Sequence, residues 1–132
     1  MGGFSSATAV RAYANVGLET GVNSAHPHRL IAMLFDGALL ALARARQSMM
    51  AKDIATRGSA ISKAIQIIDE GLKASLVDNG GDLAANLHAL YDYMGRRLLF
   101  ASLKNDLGAV NEVSRLLTEL KDAWNAIDPH KT

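Results

Sequence analysis

The chain has 132 residues, about half of them hydrophobic, with 14 basic and 13 acidic side chains and no cysteine. That length suits a single domain burying roughly two thirds of its unfolded surface. Near-balanced charge, with no cluster of Lys or Arg larger than Arg96-Arg97, speaks against a nucleic-acid partner. The lack of cysteine removes disulfide and thiolate chemistry and agrees with a reducing compartment. No signal segment and no run of about eighteen apolar residues occurs, so the expectation is a cytoplasmic protein without membrane insertion.

Residues 1–25 are rich in Gly, Ser, Ala, Thr and Asn, with a thin apolar pattern at Val10, Tyr13 and Val16. Two readings stand for this segment: a loose tail, or a short marginal helix or extended piece that docks through Tyr13 into an apolar groove. A long helix is predicted from His26-Pro27, because proline suits the first helical position and excludes the residue before it from helical geometry. It runs to about Met50, with Leu30, Ile31, Leu34, Ala38, Leu42, Ala45 and Met49 on its core side. Asp36-Gly37 lies inside that pattern, so Gly37 reads as mid-helix at a cost of about 1 kcal/mol relative to alanine.

A polar connection then leads to a second helix starting between Asp53 and Ser59, with Ile54, Ile61, Ile65, Ile68, Leu72 and Leu76 on one face. The run Asp78-Asn79-Gly80-Gly81-Asp82 supplies turn residues and a candidate N-cap for the third helix. There Leu83, Leu87, Leu90, Met94, Leu98 and Ala101 form the core stripe. Tyr91, Tyr93 and Phe100 flank it, and Leu99 and Leu103 point away. Asp106 is positioned to cap a last helix carrying Val110, Val113, Leu117, Leu120, Trp124 and Ile127, which Pro129 closes. The reading is all-α: an antiparallel four-helix bundle over 26–128, an N-terminal segment 1–25 packing on it, and a loose tail 129–132.

No catalytic or metal constellation is legible. The Glu-x-x-His pairs of bundle di-iron sites are absent, serines and histidines are scattered, and the Gly-rich turn lacks a phosphate loop's Lys and Ser/Thr. No cofactor is expected. His26 and His28, two apart across a proline, read as surface or capping groups on different sides. Arg97 lies at the core's rim, within reach of an acid such as Asp36 or Glu112, although a solvated rim arginine is the more frequent arrangement. Asn86 has the same ambiguity.

The anomaly is a second apolar line on each of three helices: Met33-Gly37-Leu40, Ala64-Ile67-Gly71 and Leu99-Leu103. Each is turned a quarter to half a turn from its helix's core face. One explanation is packing against the N-terminal segment, or scattered surface groups, which are ordinary singly. The other is a groove that accepts an apolar, helix-forming peptide, with small residues admitting its backbone and Met33 adapting to its side chains. In that case the N-terminal segment, with Tyr13 and Val16, covers the groove until a partner arrives.

These residues fall in blocks that resemble the FliS family of flagellar export chaperones from about Ala12 to Ala126. The blocks are Ala12-Tyr13 followed by Val16-Gly17, the run from Pro27 to Ala38, Lys63 to Ile68, Asn86 to Met94, Arg96-Arg97-Leu98, Leu103 to Asp106, and Trp124. Several blocks in one order are far more specific than any single one. Asp36, Asn86, Tyr91, Tyr93, Arg96 and Arg97 belong to them without an assigned role. The resemblance implies a cytoplasmic, non-enzymatic helical chaperone. Its client is the disordered C-terminal segment of flagellin, kept from polymerising before type III export. A flagellar export-gate protein and an anti-sigma factor stand as further partners to test. His26 departs from the small polar residue usual before the proline, so a weaker first cap is expected. The alternative from another class is a helical adaptor or scaffold joining folded proteins.

Overall fold

The computed structural model describes residues 26–76 and 81–128. Four long helices account for nearly all of them: α1 Pro27–Met50, α2 Ile54–Ile67, α3 Asp82–Lys104 and α4 Leu107–Ala126. Helix α2 continues through a π turn, Ile68–Lys73, and a 3-10 turn, Ala74–Leu76. Among the described residues there is no strand. Helices α1 and α3 each pack on both α2 and α4. His28 near the start of α1 meets Trp124 near the end of α4, and Arg46 near the end of α1 meets Asn111 near the start of α4. Neighbours therefore run antiparallel around a closed ring, the up-down arrangement that short connections favour.

Helix α1 begins as its proline dictates, with His26 extended at φ −111° and Pro27 in the first turn. His26 makes no side-chain cap; its imidazole instead lies 3.3 Å from Asp128 beyond the end of α4. Two tight corners at one end of the bundle use the same device. Lys52 and Asn105 adopt left-handed geometry at φ 59° and 54°. The aspartate that follows each one caps the next helix: Asp53 accepts from the Thr56 N–H and Asp106 from the Ala109 N–H, both at 3.2 Å. The left-handed residue ends one helix and the carboxylate satisfies an otherwise orphaned donor of the next. Arg57 joins the corners by donating to the Asn105 side chain at 3.0 Å and the Ser102 carbonyl at 3.2 Å.

The core is apolar throughout. Ala38, Leu42 and Ala45 of α1 meet Ile61, Ile68 and Leu72 of the second helix, Met94, Leu98 and Ala101 of α3, and Val110, Val113 and Leu117 of α4. Among the described residues the one buried side chain classed as polar is Ser48, which donates to the Ala45 carbonyl at 2.8 Å.

Several expectations fail at helix ends. Leu83 and Ile54, assigned to core faces, are 73% and 68% exposed, and Ile127 is exposed too. Leu83 is the second residue of α3, and with Lys73 against Asp92 the antiparallel register sets it beyond Leu76, the last described residue of the second helix. Ile54 is the first residue of its helix. Tyr91, expected at the edge of the α3 stripe, is buried with Met94, Leu98 and Ala101. Burial pushes its phenol up to about 12. Asp82 is the first helical residue and Gly81, at φ 94°, takes the cap position.

His28 is not a surface group, and the helix end it caps is that of α4. Its ring stacks on Trp124 at 4.3 Å with 6° between planes. Its Nε2 donates to the Trp124 carbonyl at 2.7 Å while the indole Nε1 donates to the His28 carbonyl at 2.9 Å. His26 lies on the same side, its ring 5.9 Å from that of His28.

Replacing Asp106 by alanine removes one corner cap, and a loss of about 1 kcal/mol is expected. A lowered urea midpoint with an unchanged slope is the result that checks it.

Candidate functional site

The small residues of α2 have a specific use. A Cβ on Gly71 would sit 3.0 Å from a methyl of Leu34, so α1 and the second helix are already in close contact there. Ala64 is fully buried in the same seam. Both residues were expected to line a guest's groove. They are spent on helix-helix packing, because a small side chain admits whichever backbone lies nearest, and here that is α1. Gly37 is different: its missing Cβ leaves room for the Ile67 δ1 methyl at an ordinary 3.4 Å. Gly37, Ile67 and Met33 are half-buried, and Leu40 on the same α1 line is 56% exposed. Gly37 and Ile67 thus meet on the outer side of the α1–α2 contact, with Met33 and Leu40 on the same line of α1.

Leu99 and Leu103 lie elsewhere. Leu99 shares a depression of about 320 Å³ with Ile65, Asp69, Lys73, Asp92, Gly95 and Arg96, between the second and third helices. Leu103, one turn further along α3, is 74% exposed. The lines thus do not merge into one trough. Ile65 and Ile67, two residues apart, point about 200° from each other around α2, so the depression at Leu99 and the apolar surface at Leu40 lie on opposite flanks of that helix. Tyr13 and Val16 lie outside the described residues.

The motif residues of unassigned role mostly tie helices together. Tyr93 donates to Glu112 at 2.5 Å and Arg97 donates to the other oxygen of that carboxylate at 2.8 Å, clamping α3 to α4. The Tyr93 hydroxyl first, then Arg97, hold Glu112 below the usual carboxylate range. The Arg97 guanidinium also lies over the exposed Phe100 ring at 5.3 Å. Asp36 pairs with Lys121 of α4 at 2.5 Å, not with Arg97. Lys73 reaches Asp92 at 2.7 Å and Asp69 at 3.5 Å, and its hydrogen bond to Asp92 chiefly raises the ammonium while lowering that acid. Arg96 is exposed at the rim of the depression at Leu99, and Asn86 is exposed on the outer side of α3. The His28–Trp124 stack and the Arg57 corner were not legible beforehand, since both depend on residues far apart in sequence.

Among the described residues, no group of His, Cys, Asp or Glu could hold a metal ion, and no helix is long and apolar enough to cross a membrane. The family model described as flagellar protein FliS matches residues 9–131. The chain belongs to the FliS family. It is 53% identical to the flagellar secretion chaperone FliS of Salmonella typhimurium over 124 residues, covering 93% of this chain and 92% of that protein. The corresponding Escherichia coli chaperone is 48% identical over 89% of this chain and 88% of its own length. The flagellar secretion chaperone FliSB of Pseudomonas aeruginosa is 45% identical over 90% and 94%. FliS is a family of chaperones, not of enzymes.

Two predictions follow from this geometry. Gly71→Ala forces Leu34 to move and costs about 1–3 kcal/mol, whereas Gly37→Ala meets only ordinary contact and is neutral or stabilising in thermal melts. Because the folded Glu112 carboxyl titrates below its ordinary 4.5, its contribution is present above that pH and lost as pH falls through the folded value. Glu112→Gln should lower stability at neutral pH and flatten the acid limb of urea midpoints measured against pH.

Proposed function

We propose that this FliS-family chain is a cytoplasmic chaperone for flagellar export that holds the C-terminal segment of flagellin along the grooves flanking α2. The observation that carries this reading is apolar surface left over after the bundle has closed its own core. Leu40, Leu99 and Leu103 are more than half exposed, beside the half-buried Met33, Gly37, Ile65 and Ile67. A bundle needing only its own stability has no use for these leucines on the outside, whereas a helix-in-groove partner takes its anchors from such positions.

The mechanism is occlusion. A disordered segment ordered on binding costs about 2–5 kcal/mol or more, so the contact must be extensive. Grooves on both sides of one helix supply that length if the client passes over or around α2. Apolar client surfaces that would meet another flagellin are then buried on the chaperone until the type III apparatus takes the client. No nucleotide or metal enters this scheme. Residues 1–25, through Tyr13 and Val16, act as a cover that the client displaces.

Replacing Met33, Leu40, Ile67 or Leu99 singly by aspartate should weaken binding of a flagellin C-terminal peptide about fivefold to thirtyfold, the cost of 1–2 kcal/mol per anchor. Far-ultraviolet circular dichroism should remain that of the wild type. Titration curves unchanged for all four variants would refute the groove assignment.

A further inference from the structure

Charge around the α1–α2 groove is not balanced. The contacts of Gly37 with Ile67 and of Gly71 with Leu34 set the antiparallel register, which places Leu40 level with Lys63 and Ala64, and Arg44 level with Ala60. Arg44 continues the Met33-Gly37-Leu40 line by four residues, and Lys63 precedes Ile67 by four, so both cations border the most exposed apolar position of the groove. Both are exposed, and among the described residues neither has an acid within ion-pair reach. Arg29 on α1 is in the same state, whereas Arg96 at the second groove helps to hold Asp92 low. The nearby acids are largely committed: Asp36 to Lys121, and Asp69 and Asp92 to Lys73. Glu70, seven residues after Lys63 and three after Ile67, borders the groove on the same face and is the acid there without a described cation, against the two cations Arg44 and Lys63.

We infer that the occupant of the α1–α2 groove is an acidic apolar segment, whose Asp or Glu side chains lie one turn from its apolar anchors and meet Arg44 and Lys63. This rests on the groove reading above and narrows the client chemistry it accepts. Cations solvated in the free chaperone give up little by pairing with a guest acid. Each pair adds modest affinity and a larger share of orientation and association rate.

The test uses the full chain and three labelled flagellin C-terminal peptides: the native sequence, one with every Asp and Glu changed to Asn and Gln, and one with the acids changed to Lys. At low salt the neutralised peptide should bind the wild type about threefold to tenfold more weakly than the native one, and the gap should close as salt screens the pairs. Arg44→Glu with Lys63→Glu should remove the preference for the native peptide and favour the lysine one. Arg115→Glu, the same kind of charge reversal on α4, should keep the native preference. Equal binding of native and neutralised peptides to the wild type at low salt overturns the inference and leaves the groove standing. A native preference retained by the doubly reversed variant overturns the placement at Arg44 and Lys63. Failure of any peptide to bind overturns the groove reading as well.

Discussion

Leu34 occupies the space that a side chain at Gly71 would need, and the rest of the bundle depends on that close approach. It brings α1 near enough to the second helix for Ala38, Ala64 and Ile68 to be completely buried. It also fixes the register in which Gly37 receives Ile67. A larger residue at position 71 would separate the helices and open a gap in the core, because packed interiors transmit a displacement of one methylene to their neighbours.

Polar contacts fasten most seams of the ring, Arg57 and Lys73 tying the second helix to α3, and the α1–α2 seam is the apolar one. Helix α4 is fastened to its neighbours by the Tyr93–Glu112–Arg97 clamp, the Asp36–Lys121 pair and the His28–Trp124 stack. Helix α2 is held to α1 chiefly by close apolar packing and keeps exposed or half-exposed apolar groups on both flanks. Directional contacts hold one side in a single geometry. The other side offers surfaces that tolerate different guest side chains, with a methionine at one edge.

Much of this was legible in the sequence because the core line of each helix recurs at three and four residues. Pro27 and Asp106 marked helix starts through local chemistry that needs no tertiary information. Leu83 and Ile54 misled because periodicity says which way a residue points but not whether a neighbouring helix extends far enough to cover it. Ala64 and Gly71 misled for another reason: a small residue off the core line reads alike whether it admits a neighbouring helix or a guest. Leu99 and Leu103 were correctly placed away from the core, but only the three-dimensional arrangement separates their groove from that of Leu40. The His28–Trp124 contact spans 96 residues, beyond any local pattern.

That contact also makes the molecule its own reporter. The chain has a single tryptophan, and its indole is fixed against an imidazole on the α1–α4 side, across the bundle from α2. Its emission therefore monitors the opening of that seam. A spectral change on adding a guest reports a disturbance at the half-buried ring of that seam.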